Sequence, residues 1–255
     1  MRTPLAPVLL LLAVSPALAE NTPAPTQRSV GNYLDQAFVA NGLLLANPEV
    51  ESRLSAITQR LAGNSKQPDL QCTVRLFNSP AIHITSGPGG FFYLNSGLLD
   101  HLQNEPQLAS LLAIQVAQVA ANQYTQRLQQ AVDAKNAGQA TNTGVSLALM
   151  GLGFVSGVYI PPTFGATSAI GGAISNVAVM QYTREQVLDA DKTALHLLQA
   201  AGYDPHALID TLHLLDTLRA QQQAAKSQPI GLLASEPPFA ERIQHLQSLL
   251  AGGNP

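Results

Sequence analysis

The chain has 255 residues, 46% of them hydrophobic, which is enough apolar material for one domain with a substantial core. Charged residues make up only 11%, the formal net charge is −3 and there is no basic cluster, so the electrostatic footprint of a nucleic-acid-binding protein is missing. Cys72 is the only cysteine, which excludes an internal disulfide and a Cys-based zinc site and leaves the fold to be held by packing.

Residues 1–19 read as a cleavable secretory signal peptide. Met1-Arg2 supplies the positive start, Val8 to Val14 an apolar run too short to span a bilayer, and Ala17-Leu18-Ala19 a small-x-small cleavage site. No cysteine follows it to carry a lipid. Residues 20–31, with Pro23 and Pro25, are expected to be a flexible leader, 32–250 a single domain, and 251–255 a tail.

Within the domain, Asn32 to Val39 suggests a first helix. A second is bounded by Asn47 as N-cap, Pro48 at the first helical position and Gly63 past the end, with Val50, Leu54, Ile57 and Leu61 as its apolar stripe. Between Gln71 and Asn95 the period changes to that of strands. The runs Thr73–Asn78, Ala81–Thr85 and Phe91–Leu94, split by Ser79-Pro80 and Gly87-Pro88-Gly89-Gly90, predict a small antiparallel meander. Cys72 sits at its start and reads as a small packing residue. The glycine-rich turn is read as a connection between strands, not an anion cradle. A short helix is expected around Leu98 to Leu102.

Asn104, Glu105 and Pro106 open a long helix expected to run to about Gln129, on which Leu108, Leu111, Leu112, Val116, Val119 and Ala120 recur at helical spacing. Residues 131–143 read as an exposed connection. The uncharged stretch 144–180, with Gly151, Gly153, Gly157 and Pro161-Pro162, reads as an apolar hairpin, either buried or in peripheral contact with a membrane. Helices are then predicted over Thr183–Gln199, from Asp204-Pro205 to about Ala224, and over Phe239–Leu250.

In this order the chain resembles the CAAX prenyl endopeptidase (HtpX-type) zinc metallopeptidases, and more closely their soluble periplasmic branch in Gram-negative bacteria. The resemblance covers roughly Val74 to Leu250. It is carried by Gly89 to Leu99, by Glu105 to Ala113, by Tyr182 to Asp191 with Ala201-Gly202-Tyr203-Asp204-Pro205, and by Glu236-Pro237 with Arg242-Ile243. It implies an α+β fold, mostly helical and zincin-like, with a small antiparallel sheet.

The resemblance also implies where the chemistry should lie. The family's two zinc histidines fall on Ile114 and Gln118, its catalytic glutamate on Gln115, a frequent further histidine on Gln123, its third ligand on Val187 and its C-terminal histidine on Glu236. Asp191 keeps the family's aspartate. Aliphatic side chains cannot bind a cation, Gln is a weak uncharged ligand, and Gln115 has no carboxylate to act as a base. Burying Ile114 and Val187 would contribute about 1.5–3 kcal/mol each, against roughly 10–16 kcal/mol apparent for a structural zinc. The expectation is therefore a pseudopeptidase: not an enzyme, with no catalytic residue, no metal and no cofactor.

Relocated sites find little support. His206 and His213 lie two helical turns apart; Asp210 with His213, and Glu185 with Asp189, read as solvated helix faces; no G-x-S-x-G turn occurs. The function expected is binding of unfolded or mis-assembled envelope proteins, or of an active peptidase relative, in outer-membrane protein quality control. The candidate binding edge is the strand Phe91, Phe92, Tyr93 and Leu94. The location expected is the periplasm, at or near the outer membrane. The alternatives are an active metalloendopeptidase with unorthodox zinc ligands and a membrane-associated structural protein using the 144–180 hairpin.

Overall fold

The computed structural model describes residues 27–40, 42–121, 183–224 and 237–252. The signal peptide, the 144–180 hairpin, Gln123 and Glu236 lie outside the described residues. Among those described, the elements are α1 (Gln27–Ala40), α2 (Pro48–Ala62), β1 (Thr73–Phe77), β2 (Ile84–Ser86), a 3-10 turn at Pro88–Gly90 and β3 (Phe91–Asn95). They continue with α3 (Ser96–Leu99), α4 (Glu105–Ala120), α5 (Arg184–Ala200), α6 (His206–Ala224) and α7 (Phe239–Ala251). The fold is α+β and mostly helical, as expected. Helix α1 starts at Gln27, inside the stretch read as leader.

The helices begin where their capping groups lie. Asn47 accepts from the Val50 N–H at 3.2 Å and Asn104 from the Gln107 N–H at 2.9 Å, each followed by a proline in the first turn. Thr183 and Gln186 form a reciprocal capping box at the start of α5.

The sheet differs from the predicted meander. Its order is β1-β3-β2, with β1 and β3 parallel and β2 antiparallel to β3. The cause lies in Ser79, just past β1. Its carbonyl accepts from the Gly97 N–H at 2.9 Å and the Ser96 hydroxyl at 3.0 Å, and its hydroxyl accepts from the Asn95 side-chain amide. These bonds bring the C-terminal ends of β1 and β3 together, which requires the strands to run in parallel. A Cβ on Gly97 would overlap the Pro80 carbonyl, so the knot admits only glycine there.

Both faces of the sheet are covered. Val74, Leu76, Ile84, Phe92 and Leu94 face the main core with α2, α4, α5, α6 and α7. Phe77, Phe91 and Tyr93 face the other way, toward Phe38 of α1, whose ring lies 5.1 Å from Phe77 and 5.3 Å from Tyr93. Arg28 pins the start of α1 there. It donates to the Gly89 and Gln71 carbonyls at 2.7 and 3.0 Å and lies over the Phe91 ring at 4.4 Å.

The outer edge of β1 is closed by α2. The backbone N–H groups of Leu76, Val74 and Cys72 donate to the side chains of Glu51, Ser55 and Gln59 at 3.2, 3.0 and 3.0 Å. Four residues of helix rise about 6 Å and two residues of strand about 6.6 Å, so an i, i+4, i+8 set on an antiparallel helix matches alternate strand residues. The Leu43–Leu45 segment adds a bridge from Leu44 to Phe77.

Candidate functional site

Helix α4 is the central element. It packs most extensively on α5 and also touches α2, α6 and β2. Alanines at 109, 113 and 117 of α4 and at 190 and 194 of α5 are buried in the shared core, where small side chains allow two helices to approach closely. The positions singled out from the sequence lie on these two helices. Ile114 and Gln115 are 6% exposed, Gln118 and Val187 7%.

Ile114 belongs to the main apolar core. One turn beyond Val187, Asp191 is fully buried and receives a bidentate pair of bonds from Arg242 of α7, at 2.7 and 2.6 Å. The retained aspartate and the arginine of the C-terminal motif thus meet, and they fasten α7 to α5. Arg219 and Arg242 both lie over the Phe239 ring, at 5.1 and 5.7 Å.

Whether these positions suit a divalent metal is decided by their donors. Ile114 and Val187 offer none, and Gln115 and Gln118 offer neutral amides, so this set does not fit zinc. Among the described residues, no three His, Cys, Asp or Glu side chains gather closely enough to hold a metal ion.

The other candidates are dispersed. Glu185, Asp189, Asp210 and His213 are exposed, and His206 pairs with Asp204 at 2.9 Å on the surface. A shallow hollow of about 370 Å³ between α6 and α7 is lined by His206, Ile209, Asp210 and Gln247, with none of the α4 positions in its wall. Burial pushes the Cys72 thiol up to about 12, against the attraction of the Arg28 charge, so it stays protonated at physiological pH.

The predicted binding edge needs correction. Phe91, Phe92, Tyr93 and Leu94 lie in β3, which is paired on both sides and buried throughout. Its apolar composition reflects two covered faces, not an exposed edge. Among the described residues, the strand with an unpaired edge is β2. Asn95 N–H donates to the His83 carbonyl at 3.0 Å and Gly87 N–H to the Phe91 carbonyl at 2.7 Å, so residues 83, 85 and 87 point their backbone groups at β3. The alternating backbone groups of Ile84 and Ser86 point away from β3 and have no hydrogen-bond partner among the described residues. The sequence signal for β2 was weak, because only Ala81 to Thr85 reads as strand and the segment is interrupted by His83.

Comparison with known proteins sets this geometry in a family. The model of peptidase family M48 matches residues 48–250, from the first residue of α2 almost to the end of α7. The chain belongs to peptidase family M48. It is similar to the beta-barrel assembly-enhancing protease of Yersinia pestis, with 23% identity over 212 residues, 83% of this chain and 41% of that protein. It is equally similar to the protein of the same name from Escherichia coli K12, over 213 residues and the same shares of each chain. A putative beta-barrel assembly-enhancing protease of Vibrio cholerae matches at 23% over 203 residues, 80% of this chain and 40% of that one. The chain thus spans about two-fifths of the length of these curated relatives.

These findings overturn one expectation. The chain was expected not to be an enzyme, but its family is a peptidase family and its relatives are named proteases. A missing ligand at one position describes the chemistry of that position alone.

Proposed function

We propose that this chain acts in the assembly or quality control of outer-membrane β-barrel proteins, engaging their extended, unassembled chains along β2. The relatives' common name supplies the substrate class. The observation that carries the reading is the edge of β2, where the Ile84 and Ser86 backbone groups are oriented to pair with an added strand. Barrel precursors are made of such strands, with the alternating pattern of membrane barrels. The leader Met1–Ala19 supports a periplasmic setting. Among the described residues no helix is long and apolar enough to cross a membrane. On this reading Ile114, Gln115, Gln118 and Val187 hold no zinc.

The test is to mix the purified mature chain with an unfolded outer-membrane barrel protein, with and without chelator. Complex formation and fragments are then followed. The reading predicts a complex that survives chelation. No detectable complex would overturn the binding role, and stoichiometric bound metal lost on mutating Gln118 would overturn the metal-free assignment.

A further inference from the structure

Helix α1 meets the sheet through side chains spaced along one of its faces. Arg28, Asp35 and Phe38 stand seven and three residues apart, with buried Gly31 between the first two, so they share one helical stripe. Arg28 Nη1 donates to the Gly89 carbonyl at 2.7 Å and to the Gln71 carbonyl at 3.0 Å, and Nη2 donates to the Thr73 hydroxyl at 3.0 Å. Gly89 is the middle residue of the 3-10 turn Pro88–Gly90, which joins β2 to β3. The turn lies close against the chain that enters β1: a Cβ on Gly90 would stand 2.2 Å from the Gln71 carbonyl oxygen. One guanidinium therefore ties together the helix, the start of β1 and the turn. That turn is also the element with which α1 makes its most extensive contact.

This attachment is separable from the main core. Phe77, Phe91 and Tyr93 form a small cluster of their own, against which Phe38, Leu43 and Leu44 pack. Midway along α1, Asp35 is held by two bonds from Arg75, at 3.1 and 2.9 Å. A helix seated on a satellite cluster opens at a lower free-energy cost than helices of the main core. Strand β2 depends on the same region. It is three residues long, and its turn end is closed by the Gly87 N–H donating to the Phe91 carbonyl at 2.7 Å. So short a strand is marginal without support from its neighbours.

We propose that α1 is a latch on β2: docked, it fixes the Pro88–Gly90 turn through Arg28 and so sets the strand's edge; released, it lets β2 loosen while the main core stays folded. Arg28 is a positioning residue in this device. The latch stands on the geometry of the free protein, and its effect on a bound polypeptide rests on the proposed function.

The experiment follows backbone hydrogen exchange in the full mature chain and two variants. Arg28→Lys keeps the charge but loses the forked donors that reach both carbonyls and the hydroxyl. Asp35→Asn weakens the middle of α1 and leaves every Arg28 bond in place. Exchange of the Gly87 N–H should accelerate roughly tenfold or more in Arg28→Lys and also, by less, in Asp35→Asn. The amides of Leu111 to Val116 in α4 should keep their rates. Equal acceleration in α4 would mean that the variants act through global stability, and would overturn the latch. An unmoved Gly87 rate in Arg28→Lys would overturn it too, and acceleration in that variant alone would show a local bond with no part for the helix. In a second arm, Arg28→Lys should bind an unfolded outer-membrane barrel protein roughly threefold or more weakly than the wild type, because the edge is no longer preorganised. Equal affinity would overturn the control of the edge by α1. A wild-type chain that binds nothing would overturn the proposed function, and the exchange rates of the free protein would then decide the latch by themselves.

Discussion

At the scale of single residues, the most consequential pair is Asp191 with Arg242. Both are almost wholly inaccessible and joined by two short bonds. Removing one partner leaves an uncompensated buried charge, so Asp191→Ala or Arg242→Ala should each cost about 3–5 kcal/mol, read from denaturant unfolding. Replacing both together with Leu and Met should recover much of that loss. An equal penalty for the double change would show that the pair contributes more than mutual neutralisation. Cys72 offers a second check, since its raised pKa and partial burial predict a thiol that reacts with a disulfide reagent at pH 8 only after unfolding. Rapid stoichiometric labelling of the folded chain would contradict that account. Sequence pattern had located Asp191 and Arg242 through two separate motif segments. It could not reveal that they meet, because they are distant in the chain and only the packing of α7 on α5 joins them.

At the scale of elements, caps and periodicity were enough to bound α2, α5 and α7 within a residue or two, because their signals are local: Asn47-Pro48, the Thr183–Gln186 box, and Pro238 before Phe239. Strand pairing was not legible in the same way. Short connections between β1, β2 and β3 suggest neighbours in a meander, whereas the bonds around Ser79 place β3 in the middle. The ladder of Glu51, Ser55 and Gln59 on β1 left a faint trace, polar residues at i, i+4 and i+8 beside the apolar stripe of α2. On the reading proposed above, Ile114, Gln115 and Gln118 of α4 and Val187 of α5 stand where the family's site residues would, without their donors. Ile114→His, Gln115→Glu, Gln118→His and Val187→Glu together should therefore create a site that binds zinc, measured by metal analysis of the folded variant. A folded quadruple variant without zinc would mean that the helix spacing has changed as well.

At the scale of the molecule, Glu105 links three parts of the structure. It accepts from Arg53 of α2 and from Tyr203 between α5 and α6, both at 2.8 Å, while Arg60 lies 4.2 Å over the Tyr203 ring. The Arg53 and Tyr203 hydrogen bonds hold its carboxyl below the ordinary 4.5. A folded-state pKa lowered in this way adds stability at pH values above the unfolded value, and that stability is lost as pH falls through the folded one. Glu105→Gln should therefore flatten the acid side of the stability profile below about pH 4.5, and an unaltered profile would show that the exposed pair contributes nothing. Among the described residues, the closed edge of β1 and the central position of β3 leave β2 as the strand with an unpaired edge, the one to which the proposed function assigns a bound polypeptide. The most direct measurement is hydrogen exchange of the backbone amides with and without an unfolded outer-membrane barrel protein. The account predicts new protection at Ile84 and Ser86, with β3 unchanged; added barrel protein that leaves both amides exchanging at their original rates would contradict it.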